Sequence, residues 1–170
     1  YKLLLRTFGG NNAGEGHPRG AARISGLEAE EITAFILDGR RMLREKLIQE
    51  QAQSSNDRFT LFPETLPAMA QLRTTRRIHG VDNLDSGQNN LRFETSLGLT
   101  GDWRKAGPVW EIPYGVLVPR HVRGVLAAGR CIAAGGDAWE VMRVIPPAAL
   151  TGQLAGLASW LSIQENVLPD

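Results

Sequence analysis

A single cysteine, Cys131, in 170 residues excludes an internal disulfide framework and any multi-cysteine zinc or iron–sulfur site. Neither sign of charge dominates, with 19 basic side chains against 18 acidic ones. Surfaces that bind polyphosphate normally carry a strong basic excess, so the balance argues against a nucleic-acid partner. Lysine is scarce: only Lys2, Lys46 and Lys105 occur, and the other basic residues are arginines. No lysine follows a glycine, which removes the phosphate-binding P-loop, and no G-x-S-x-G elbow offers a hydrolase serine. His17, His79 and His121 lie far apart and share no ligand spacing with Cys131, so no metal site is expected. Cys131 itself reads as a small buried apolar residue at a strand end.

Long apolar runs are equally rare. Tyr1-Lys-Leu-Leu-Leu-Arg6 is too short for a secretory signal, and with the lone cysteine this makes a cytoplasmic location the expectation. Val144 to Gln164 has no charged residue and is long enough to cross a bilayer. Its two prolines, two glycines, two serines, threonine and two glutamines make it a poor hydrocarbon span. Gly152, Ala155, Gly156 and Ser159 suit close packing against a sheet, so a buried helix over Pro146–Gln164 and no membrane partner are expected.

The length allows one domain or parts of two. Residues 1–8 read as a strand, followed by a glycine-rich loop from Gly9 to Gly20. Gly14-Glu-Gly16-His-Pro-Arg19 begins like a dinucleotide fingerprint but places Arg19 where the third glycine belongs. Ser25 and Glu28 have capping-box spacing. Ile32, Phe35, Ile36, Leu43 and Leu47 then recur at helical steps with a gap at Gly39, predicting a helix from about Gly26 to Gln51. Strands are predicted over Gln71–Ile78, Leu91–Leu99 and Val122–Ala128. Val109–Val118 is a further β-prone stretch, interrupted by Pro113.

Six segments resemble one family. Ile112-Pro-Tyr-Gly-Val-Leu-Val-Pro119, Val125-Leu-Ala-Ala-Gly-Arg-Cys-Ile132, Arg143-Val-Ile-Pro146 and Thr151-Gly-Gln-Leu-Ala-Gly156 are similar to the C-terminal end of FAD-dependent oxidoreductases of the glutathione-reductase-like superfamily. Upstream, Leu72-Arg-Thr-Thr-Arg-Arg-Ile-His-Gly80 resembles the V-R-E-S-R-R-I-x-G segment of the same branch, and the Glu28–Arg41 helix resembles another of its stretches. The resemblance implies an α/β fold (α+β in the first half). It implies an incomplete FAD/NAD(P)-binding Rossmann-like domain without its N-terminal βαβ unit, plus part of a substrate or cap domain. Residues 1–108 then belong to the substrate/cap domain and 109–170 to the FAD-binding domain.

The same resemblance implies FAD as cofactor and a small molecule as substrate. Gly129 and Arg130 are expected near the ribityl and pyrophosphate portion, and Met142, Arg143 and Val144 beside the pyrimidine side of the flavin. Asp137 stands where relatives carry another acid and could still accept a hydroxyl hydrogen bond. Both histidines that relatives often carry in the stretch 135–141 are gone, Trp139 and Glu140 stand there instead, and Thr74 and Thr75 replace Glu and Ser. No catalytic acid or base is assigned. Arg143 is the candidate facing flavin or substrate, with Arg76, Arg77 and His79 on the substrate side. Arg73, Arg76 and Arg77 have two open readings, recognition of an acidic substrate group or salt bridging on a strand face.

The chain opens on Tyr1 in a strand-like run and supplies no strand–G-x-G-x-x-G–helix unit for the FAD diphosphate. A C-terminal fragment of a larger enzyme is therefore expected, with the Val122–Ala128 edge and final helix partly uncovered and prone to self-association. The alternative is a non-catalytic, flavoprotein-derived subunit or scaffold whose partner chain supplies the nucleotide-binding half.

Overall fold

A computed structural model describes residues 24–53, 57–63, 70 and 72–170. The strand expected over residues 1–8 and the loop Gly9–Gly20 lie outside the described residues. Two compact units form, Tyr1–Thr75 and Arg76–Asp170.

In the first unit, helix α1 (Ala29–Gln51) buries Phe35, Gly39, Leu43 and Leu47. Those residues fall at four-residue steps, the spacing that puts side chains on one helical face. The opposite face is exposed, and Arg41 there pairs with Asp38 at 3.3 Å and Glu45 at 3.0 Å. The expected capping box does not form, because Glu28 makes no side-chain cap bond. Glu31 takes that place instead. Its carboxylate accepts from the Ser25 N–H at 2.8 Å, the Ser25 hydroxyl at 2.7 Å and the Gly26 N–H at 3.1 Å. The bonds from Ser25 favour the ionised form and lower the Glu31 pKa. A carboxylate in the first turn also complements the positive end of the helix.

The second unit contains strands β1 (Ser96–Gly101) and β2 (Val109–Pro113), paired antiparallel with Thr100 opposite Trp110 and Leu99 opposite Glu111. The strand predicted over Leu91–Leu99 thus begins late, at Ser96. The Phe93 N–H is satisfied by the Glu111 carboxylate at 2.7 Å rather than by a ladder. β2 stops at Pro113, and a 3₁₀ turn follows at Tyr114–Val116; proline cannot donate to a ladder. The unit also holds a 3₁₀ turn at Gly129–Cys131, a short helix α2 (Gly136–Met142) and the long helix α3 (Ile145–Glu165). The helix expected at Pro146–Gln164 is therefore present, with proline in its first turn.

Two expected strands are corrected. Residues 72–78 are irregular, and position 71 lies outside the described residues. Val122–Ala128 is irregular as well, because Gly124 within it and Gly129 just after it have φ of +71° and +72°, outside the β region. Single backbone bonds replace a ladder. Ala127 N–H donates to Leu117 O at 2.8 Å, Ala133 to Val116 O at 2.9 Å and Ile78 to Cys131 O at 2.8 Å. Cys131, expected to be buried, is exposed, because its 3₁₀ turn faces outward.

These laced segments and α2 enclose one apolar core. Leu84, Trp110, Ile112, Val116, Leu117, Ile132, Val141 and Met142 are all at most 1% exposed. Burying an aliphatic side chain of this kind contributes about 1.5–3 kcal/mol. The segments pass so closely that Gly80 has no room for a methyl group: a Cβ there would sit 2.4 Å from Asp82 O and 2.8 Å from Gly115 O. Helices with a small sheet are compatible with an α/β class. The expected division at residue 108/109 falls between β1 and β2, which are hydrogen-bonded partners.

Candidate cofactor site

The turn after Ala128 needs a left-handed residue, and Gly129 supplies it at φ +72°. Its backbone N–H donates to Thr151 Oγ1 at 3.0 Å. That hydroxyl is buried in α3 and donates in turn to Pro147 O at 2.8 Å. A hydroxyl can accept and donate at once, so one side chain fixes the glycine turn against the first two turns of α3. Gly129 is otherwise open, since a Cβ there would meet only Ala148 Cβ, at 3.8 Å.

Chain direction reverses between α2 and α3. Arg143 closes α2 and Val144 is the residue preceding α3. Helices leave their first N–H groups without intrahelical partners, but Pro146 and Pro147 have none to offer. The bare donors at this helix end are therefore the adjacent amides of Val144 and Ile145, neither of which has an acceptor among the described residues. The positive end of the α3 dipole lies at the same place.

Met142 is wholly buried in the core, main chain included. Arg143 is half-buried, and its guanidinium is committed to Glu140, with Nε 2.9 Å from Oε2 and Nη2 bonded to the same oxygen. Asp137 in the first turn of α2 forms an ion pair with Arg104 at 2.7 Å. Arg104 is gripped from its other side by Asp102, whose Oδ1 accepts from Nε at 2.9 Å and whose Oδ2 accepts from Nη2 at 2.8 Å. The Asp102 side chain is fully buried. The Arg104 hydrogen bonds outweigh the burial and hold its pKa down to about 2. Trp103 completes the grip by donating Nε1–H to Glu140 O at 3.0 Å. The β1–β2 turn thus clamps both ends of α2.

Arg77 lies over the Trp139 ring, 5.6 Å from its centroid, and Trp139 Nε1–H donates to Arg130 O at 2.8 Å. Arg130 is exposed. His79 stacks on His121 at a centroid distance of 6.0 Å. Arg76 is exposed. The structure therefore brings Gly129, Arg130, Asp137, Met142, Arg143 and Val144 onto one continuous segment, joined by Arg77 through Trp139, while His79 turns to His121. Sequence reasoning did not single out Arg104 or Asp102, which reach Asp137 across 33 positions. Thr151 stood within a recognised motif, but its bond to Gly129 had no sequence signal. Among the described residues no three His, Cys, Asp or Glu side chains gather as metal ligands.

A family model described as FAD dependent oxidoreductase matches residues 78–170. No curated protein and no solved structure matches the chain. The matched stretch contains the Gly129 turn, α2, the paired amides at Val144 and Ile145, and the whole of α3, and with more than half its length accounted for, the chain belongs to the FAD dependent oxidoreductase family, whose cofactor is FAD.

Proposed function

We propose that this chain is the C-terminal portion of an FAD-dependent oxidoreductase that transfers a hydride between a small-molecule substrate and flavin. The observation that carries this reading is the pair of free amides at Val144 and Ile145 at the start of α3. When bound, FAD supplies the ring that accepts or returns the hydride. Val144 and Ile145 would hold its pyrimidine edge, where backbone N–H donors and the helix dipole favour negative charge. The backbone of Met142 and Arg143 leads into that pair. Gly129 would admit the ribityl and pyrophosphate portion, because no Cβ obstructs it, with Arg130 beside it. Thr151 orients the glycine turn, Arg104 orients Asp137, and Glu140 orients Arg143.

In this reading residues 109–170 form the end of an incomplete Rossmann-like FAD domain and residues 1–108 belong to the substrate or cap side. Two features support it. No complete dinucleotide fingerprint occurs in the sequence, and the later turns of α3 expose Leu157, Trp160, Leu161 and Ile163. A nucleotide-binding βαβ unit would cover that face; without it the face favours self-association. No helix among the described residues is long and apolar enough to cross a membrane, and the single cysteine suits a reducing, cytoplasmic setting.

Flavin absorbance tests the proposal. The chain alone should bind FAD weakly or not at all, and joining it to a family-type nucleotide-binding unit should give near-stoichiometric flavin. A yellow protein from the chain alone would overturn the incomplete-domain reading, and a colourless joined protein would overturn the flavin reading.

A further inference from the structure

We infer that Arg77, seated between Trp139 and Gly135, is a recognition point for a carboxylate of the substrate. The inference rests on the flavin reading for its place beside the cofactor segment, but its chemistry stands on Arg77 and its neighbours. Three arginines in this unit are committed to carboxylates: Arg104 to Asp102 and Asp137, Arg123 to Asp170, Arg143 to Glu140. Arg77 has no ion pair and no hydrogen-bond acceptor among the described residues; its contact is the Trp139 ring.

The guanidinium is nevertheless held in place. The ring it lies over is itself fixed, since Trp139 Nε1–H is tied to Arg130 O at 2.8 Å. The other side is a notch at Gly135, where a Cβ would come within 2.4 Å of Arg77 Nη1. Gly135 has φ −125° and ψ 172°, a conformation any residue adopts, so its backbone does not demand glycine. What the missing Cβ provides is room for the guanidinium. An arginine lying over a ring keeps N–H groups free for a planar, two-oxygen acceptor, and holding it beforehand reduces the entropy lost on binding. The two-pronged N–H edge of one guanidinium matches the two oxygens of a carboxylate group, whereas a phosphate gains from several cations together.

The test is an NMR titration of the full chain, following the Arg77 Nε–H, Trp139 indole and Gly135 amide signals. The probes are succinate, its neutral counterpart succinamide, and methyl phosphate, at matched ionic strength. Succinate should shift all three signals saturably with a Kd of about 1 mM, and succinamide should shift none. Arg77→Gln should abolish the response. Gly135→Ala keeps the arginine but displaces it from its notch, and should weaken succinate binding at least tenfold; it serves even if Arg77→Gln does not fold. An equal response to succinamide, tighter binding of methyl phosphate, or undiminished binding in Gly135→Ala would overturn the inference. The titration uses no flavin, so its failure is distinct from a colourless joined protein.

Discussion

Helix α3 has one composition and two fates. Its first turns are anchored: Pro147 and Thr151 are buried, and Leu150 packs on the main core beside Gly98 of β1. Its later turns carry equally apolar side chains, yet Leu157, Trp160, Leu161 and Ile163 are between 46% and 76% exposed. Hydrophobicity alone therefore does not settle what is buried; a partner surface does. The front of the helix positions the Gly129 turn, while the back presents a surface that stability of this unit does not use.

Substituting the same residue type in the two regions gives the largest contrast. Leu84→Ala, in the core at 0% exposure, should cost about 2–5 kcal/mol in urea unfolding. A loss under 1 kcal/mol there would mean the core is looser than its burial indicates. Next in size is Thr151→Val, which keeps the shape but strands the Gly129 N–H and should cost about 1–2 kcal/mol. In the joined flavoprotein the same change should weaken FAD binding, whereas a change in stability without one would separate the turn from the cofactor.

Acid should act on the clamp rather than on α3. Asp102 has a folded pKa of about 2, below its ordinary 3.8, so its contribution is fully present above about pH 4. It is lost as pH falls through the folded value, when the carboxylate takes up a proton and releases Arg104. The urea midpoint should drop between pH 4 and 2, and Asp102→Asn should flatten that drop. The smallest effect on stability belongs to Leu161→Ser, within about 0.5 kcal/mol, although light scattering should show less self-association. An equally large loss in Leu161→Ser and Leu84→Ala would erase the contrast between the two regions.

Periodicity made α1 and α3 legible because each signal is local: buried residues every fourth position in one, proline at the first turn and an uncharged run in the other. Motif order made the family legible. What escaped was set by single backbone angles and distant partners. Val122–Ala128 has strand composition, but Gly124 and Gly129 turn the chain out of the β region. Ser25 and Glu28 have the right spacing for a capping box, but Glu31 competes for the same donors and offers two oxygens. In the candidate site, motifs pointed to Gly129 and the Met142–Val144 turn. The choice among the arginines was not, because Arg77 is distinguished from Arg143 only by which carboxylates lie within reach. Asp137 illustrates the same limit, since its partner Arg104 comes from the β1–β2 turn.

That turn has a consequence for motion. Trp103 holds the C-terminal end of α2 and Arg104 its first turn, so neither piece can detach while the other stays. They form one opening unit, and hydrogen exchange should report it as such: amides of residues 102–107 and 137–143 should share one opening free energy. Severing Arg104 should raise exchange along all of α2 while leaving the amides of α3 beyond Thr151 at their own rate.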